Sequence, residues 1–205
     1  MRIIVFILSF LLIGGAFNTM AHADRYYFYK EEGKQLKKDA RFDTYWFEDV
    51  RKKFPGIEMR FNLPRRRNNS STKIATGITL LAKSDSKYFF VIQRLSVRND
   101  KKRLPLYMHL EGMTPSQPFY ERITAYESID GIIQTKKAIE VIGQQRILNS
   151  LYPEFYFNVA TLPKHLYLDY KFTIRKEDSP EKTFEGTIPL ELTHYDESLW
   201  EVFWK

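Results

Sequence analysis

The 205-residue chain has no cysteine. That excludes a disulfide scaffold, thiolate catalysis, a Cys-ligated zinc site and a lipidated cysteine at a processing site. Glycine is scarce, at 9 residues, and no Gly-rich loop is present to cradle a phosphate. No G-x-S-x-G nucleophile elbow and no H-E-x-x-H zinc motif occurs. Beyond the first 20 residues no apolar run approaches the roughly 20 residues that span a bilayer.

The apolar run at the start has a different meaning. Arg2 supplies a positive charge, Ile3 to Ile13 is apolar apart from Ser9, and Gly14-Gly15 ends the run. Ala21-His22-Ala23 then fits an A-x-A cleavage site. The expectation is a signal peptide over 1–23 and a mature chain that begins at Asp24, periplasmic or secreted, with no membrane-spanning segment after cleavage. An exported protein without disulfides must be held by burial, which favours a large aromatic core.

Aromatic residues are plentiful at 16%, and the formal net charge is +7. The charge is lopsided. Residues 24–114 carry 21 Lys and Arg against 11 Asp and Glu, whereas residues 115–205 carry 10 against 14. Basic clusters stand at Lys37-Lys38, Arg51-Lys52-Lys53, Arg65-Arg66-Arg67 and Lys101-Lys102-Arg103. Charge runs ordinarily solvate a surface. As a functional feature they would meet an acidic protein or a polyanion, and outside the cytoplasm that polyanion is a glycan, lipopolysaccharide or lipid headgroup and not nucleic acid.

Periodicity gives the architecture. Tyr26 to Tyr29 form an aromatic edge strand, with Tyr27 and Tyr29 on one face. Phe42, Trp46, Phe47 and Val50 form a helical stripe that Pro55-Gly56 stops. Period-two alternation follows at Ile57–Leu63, at Lys73–Ala82 and at Lys87–Val97, the last with Phe89, Val91, Leu95 and Val97 on one face. Between the first two lies a polar loop over 64–72. Asp130-Gly131 marks a hairpin. Period does not decide 132–151; a strand followed by a short helix within 134–150 is the reading taken. Leu166–Ile174 and Phe184–Leu192 alternate around a charged turn over 177–181, and predict a central hairpin.

About eight strands at this spacing, with no βαβ rhythm, predict a mainly β protein: an antiparallel β-sandwich over 57–205, after an aromatic and helical segment over 24–56. The last strands, with a Leu-Pro turn, a Tyr-bearing strand and a charged hairpin, resemble the way immunoglobulin-like sandwiches end. The likeness is one of fold and carries no function.

His109, His165 and His194 have no metal-ligand spacing. Glu185 and Glu191 share a face but lie six residues apart, roughly 20 Å along a strand, too far for a glycosidase pair. Glu111 and Asp169 could pair only across strands. No catalytic residue, metal or cofactor is therefore assigned. The candidate binding residues are Arg65, Arg66, Arg67, Lys101, Lys102, Arg103, Tyr26, Tyr27 and Tyr29, since exposed Tyr beside Arg is the composition of interfaces. Tyr88, Tyr107, Tyr120, Tyr126 and Tyr167 also fall on terminal or mixed faces. The function expected is a non-catalytic exported domain that binds an envelope or cell-surface protein. The alternatives are an anionic glycan, lipopolysaccharide or lipid-headgroup binder using the basic first half, and a hydrolase.

Overall fold

The computed structural model describes residues 22–36, 43–66, 72–83, 86–108, 125–142, 150–151 and 154–198. Within them the chain is mainly β. The strands are β1 (His22–Glu31), β2 (Thr44–Trp46), β3 (Ile57–Arg66), β4 (Lys73–Ala82), β5 (Lys87–Arg98), β6 (Arg103–Leu104) and β7 (Tyr107–Met108). They continue with β8 (Tyr126–Ile129), β9 (Ile132–Thr135), β10 (Ile139–Ile142), β11 (Ser150–Leu151), β12 (Glu154–Asn158), β13 (His165–Lys176) and β14 (Lys182–Ser198). One short helix, α1 (Glu48–Lys53), precedes β3.

All these strands join one antiparallel sheet, ordered β7-β12-β4-β3-β1-β14-β13-β5-β9-β8. The sandwich reading expects two packed sheets. Here pairing runs unbroken from β4 to β5, so the sheet curls and nearly closes into a barrel instead of splitting. Residues 103–108 join its two sides. Leu104 pairs with Val97 of β5, and Met108 pairs with Phe155 of β12. The β8–β9 hairpin braces this segment: Leu106 N–H donates to the Gly131 carbonyl at 3.1 Å, and Ser128 Oγ donates to the Leu106 carbonyl at 2.5 Å.

That hairpin turns at Asp130 and Gly131, with φ of 50° and 75°. Both values are positive, as a two-residue type I′ turn requires. Gly131 is needed twice over, because a β carbon there would sit 2.5 Å from Cα of Pro105.

β1 is not an edge strand. It lies between β3 and β14, with Phe28 opposite Arg65 on one side and Thr193 on the other. The helical stripe is also shortened. Thr44–Trp46 pairs with β3, and Phe47 N–H donates to the Met59 carbonyl at 3.1 Å, so the ladder claims that backbone. Phe42 lies outside the described residues. Trp46, expected on the buried stripe, is 41% exposed under the Arg60 guanidinium. The six-residue helix keeps the right charge order for its dipole, Glu48 and Asp49 first and Arg51 to Lys53 last.

The expected helix within 134–150 is replaced, where described, by the ends of β9 and all of β10. Residues 143–149 lie outside the described residues. The predicted 166–174/184–192 hairpin is present as β13–β14, in register from His165 opposite Glu191 to Ile174 opposite Lys182. It stands at the centre of the sheet, since β13 also pairs along its length with β5.

The inward faces form one core. Met59, Phe61, Phe90, Leu95, Phe155, Phe157, Phe172 and Ile188 are all buried in it. Helix α1 adds Val50 and its flanks Phe47 and Phe54. Phe47 meets the rings of Phe61, Tyr170 and Phe172 edge-on at 5.1, 5.0 and 5.2 Å. Each such ring removed from water contributes about 1.5–3 kcal/mol. An aromatic core of this kind is what a disulfide-free chain needs.

Candidate functional site

Strand direction gathers the candidate residues. Along β3-β1-β14-β13-β5 every neighbour is antiparallel, so β3 and β5 run the same way and β1 runs against them. The last residues of β3, the turn after β5 and the first residues of β1 therefore share one end of the barrel. Arg65 and Arg66 finish β3, Lys101 and Lys102 stand in the turn, Arg103 opens β6, and Tyr26 and Tyr27 lie near the start of β1. Residues more than 70 positions apart in sequence thus lie at the same end of the barrel. Arg67 lies outside the described residues.

Arg65 and Arg66 belong to a strand and not to the 64–72 loop; Arg65 pairs with Phe28 and Ala75 across a register shift after Asn62. Tyr29 is fully buried, and its hydroxyl donates to the Pro163 carbonyl at 2.8 Å. It is a core residue that no partner reaches. Tyr88 and Tyr126 are likewise buried, whereas Tyr107 is exposed. Tyr120 lies outside the described residues.

The Lys101-Lys102 turn is firmly held. The Asn99 side-chain oxygen accepts the N–H groups of Lys101 and Lys102 at 2.9 and 2.8 Å, an Asx arrangement that closes the turn locally. Next to it, Tyr167 donates its hydroxyl to Asp100, which raises the Tyr167 pKa above its ordinary value. The Arg98 guanidinium lies 4.3 Å above the Tyr167 ring and donates to Asp169 at 3.0 Å. The two lysines are thus displayed on an ordered support, with both side chains in solvent.

On the barrel wall between the two basic strands Lys30, Arg94, Arg98 and Lys171 each pair with a carboxylate. Glu185 sits between Arg94 at 3.0 Å and Lys171 at 2.9 Å. Its bond to Lys171 holds its carboxyl below the usual range. Glu191 is held low in the same way by Lys30. Asp169 accepts from Arg98 and, at 2.6 Å, from Thr187. A general acid needs a raised carboxyl pKa; Glu185 and Glu191 are pushed the other way. His165 lies 3.9 Å from Glu32, and His194 lies 3.5 Å from Asp196. Among the described residues no group of three His, Asp or Glu could hold a metal ion, and no helix is long and apolar enough to cross a membrane. His109 and Glu111 lie outside the described residues.

The chain matches no protein-family model, no curated protein and no solved structure.

Proposed function

We propose that this chain is an exported, non-catalytic β-barrel domain that binds an acidic face of another envelope or cell-surface protein. The contact surface is the barrel end that carries Arg65, Arg66, Lys101, Lys102 and Arg103, with Tyr26 and Tyr27 beside them. Export follows from the N-terminal segment, with cleavage after Ala23.

The observation that supports this reading is the convergence of sequence-distant cations, Arg65 and Arg66 with Lys101, Lys102 and Arg103, at one end of the barrel. Basic residues outnumber the acidic Asp100 and Asp196 at that end, and the net positive field steers an acidic partner to it. A turn whose backbone is already held by Asn99 loses less backbone freedom on binding than a slack loop would.

Photo-cross-linking tests it. A benzophenone side chain is placed at Arg65 or Lys101, with a control at Arg94 on the wall, in cells that export the protein. The expected result is a defined acidic protein trapped from the two rim positions and absent from the wall position. Trapping of glycan, lipopolysaccharide or lipid from the rim supports the polyanion alternative instead. Equal trapping from all three positions overturns both.

A further inference from the structure

The opposite end of the barrel holds a different feature. There β13 turns into β14, β3 and β5 begin, and α1 ends. An open cleft of about 680 Å³ occupies this mouth, between Lys53, Lys176 and Lys182, with Phe54 and Tyr88 among its lining residues. The Phe54 ring meets Tyr88 at 6.2 Å and Phe184 at 6.4 Å, so the cleft rests on the aromatic core.

Register explains how the lysines reach it. Along β13 the inward positions are Leu166, Leu168, Phe172 and Ile174, and the next inward position is Lys176. Lys182 pairs with Ile174 and therefore faces the same side. Along β5, Tyr88 points inward and Ser86 lies two residues earlier on the same cleft. Lys53 is the last residue of α1. The core-facing rows of two strands thus end in ammonium groups at a barrel mouth.

Among the described residues these three cations differ from several other lysines of the barrel in their pairing. Lys30, Lys83, Lys87 and Lys171 each pair with a carboxylate. Among the described residues, Lys53, Lys176 and Lys182 form no ion pair, although Glu177, Asp178 and Glu181 stand in the adjoining turn. Lys53, Lys176 and Lys182 repel each other across the opening, the carboxylates of the adjoining turn form no ion pair with them, and an anion bound between the lysines relieves that repulsion. Barrel mouths with an apolar floor and a few convergent polar groups are ordinary ligand sites, and the volume falls within the usual range of about 300–1,000 Å³.

We propose that this mouth binds a phosphomonoester attached to an apolar body. A phosphate carries about −1.5 to −2 charge and three strong acceptor oxygens, which suits three ammonium groups better than a single carboxylate does. Ser86 and Ser179 line the same cleft and supply hydroxyls. Phe54 and Tyr88 would take the apolar part. The site is separate from the basic rim at the other end.

Calorimetric titration of the purified chain with 1-naphthyl phosphate, inorganic phosphate and 1-naphthoate tests the proposal. Naphthyl phosphate should bind saturably, about tenfold tighter than either of the others, a difference of about 1.4 kcal/mol. Binding should weaken between about 0.05 M and 0.5 M salt, as screening shortens the reach of the charges. The K176Q/K182Q variant and, separately, K53Q should lose affinity while melting as the wild type does; K101E/K102E at the far rim should bind like the wild type. Phosphatidic acid vesicles identify the source. Sedimentation with them that K176Q/K182Q abolishes assigns a lipid headgroup, and a chain left in the supernatant that still binds naphthyl phosphate assigns a free ligand. Absence of saturable phosphate binding, tighter binding of naphthoate, or wild-type affinity in K176Q/K182Q overturns the proposal.

Discussion

The ring of Tyr170 lies across Gly186, its cross-strand partner on β14: a β carbon at Gly186 would stand 2.6 Å from the Tyr170 hydroxyl oxygen and 2.9 Å from Cζ. The ring cannot easily give way. Phe47 meets it edge-on, Phe172 stacks beside it at 5.6 Å, and its hydroxyl is hydrogen-bonded to that of Tyr45. In an ordinary strand, replacing glycine by alanine stabilises by about 0.5–1 kcal/mol. Here Gly186→Ala should instead cost about 1–3 kcal/mol, the usual penalty of overpacking. Denaturant unfolding reads the sign directly, and a gain in stability would show that the ring moves freely.

Phe172 stands at the centre of the same cluster. It is 1% exposed and touches the rings of Phe47, Phe90, Tyr170 and Phe184. Phe172→Ala should lower stability by about 3–5 kcal/mol, through lost burial and the cavity left behind. A loss under about 1 kcal/mol, typical of surface changes, would contradict this placement of β13.

How far the fold could be read from the residues depends on the strand. On β13 and β14 the alternation is regular, and the hairpin, its face and its turn were legible. On β5 they were only half so. The sequence reading places Phe89, Val91, Leu95 and Val97 on one face, but the buried residues are Tyr88, Phe90, Ile92, Leu95 and Val97. The cause is a bulge. Lys171 of β13 pairs with Arg94 and the next residue, Phe172, pairs with Ile92, so Gln93 is unpaired. One extra residue inverts the alternation. Nothing local marks it, because apolar residues fill both faces of Phe89–Ile92. Outward Phe89 is covered by the Arg175 guanidinium at 4.3 Å.

Deletion of Gln93 should therefore be severe. Without the extra residue, either Tyr88, Phe90 and Ile92 or Leu95 and Val97 must turn outward. The loss should exceed about 4 kcal/mol, in the range reserved for disrupted cores. Gln93→Ala keeps the bulge and removes only an exposed side chain, so its effect should stay within about 0.5 kcal/mol. Equal stabilities for the two variants would show that the bulge has no role in register.

Alkaline stability should hinge on two tyrosines. Burial raises the Tyr29 pKa far above its ordinary value, and pushes Tyr170 up to about 12. Both phenols therefore ionise more readily in the unfolded chain. Stability should be intact below about pH 10, the unfolded tyrosine pKa, and should fall as pH rises past it toward the folded values. Tyr29→Phe should flatten that alkaline fall and cost about 1 kcal/mol at neutral pH, because the bond to Pro163 is lost. An alkaline limb identical in Tyr29→Phe and wild type would remove Tyr29 from the account.

The candidate rim was legible as composition and not as place. Arginine and lysine runs can be counted, but their meeting depends on β3 and β5 running the same way, which only the sheet order reveals. Alternation over Tyr26–Tyr29 does not say which face is covered, so the burial of Tyr29 is not legible in the sequence. The lysines of the far mouth, Lys176 and Lys182, do not stand out in the sequence, because the acidic residues Glu177, Asp178 and Glu181 beside them make the stretch read as an ordinary charged turn. A signal did exist: each occupies the next inward position after an apolar row.

The basic rim gives the last prediction. Lys101 and Lys102 have exposed side chains and are held only through backbone bonds to Asn99. Reversing both to Glu should leave the melting temperature nearly unmoved, since no packed contact is removed. If the rim steers an acidic partner, the change should appear mainly in the association rate, with dissociation little altered. Steering weakens as the Debye length falls from about 10 Å at 0.1 M salt to about 3 Å at 1 M. The wild-type association rate should therefore drop steeply over that range, and K101E/K102E should start lower and respond less. Surface binding kinetics against the cross-linked partner measure both quantities. A rate that is equal in the two proteins and flat in salt would place the contact elsewhere, on the exposed aromatics Trp46 and Tyr107 or on the Trp200–Trp204 tail, which lies outside the described residues.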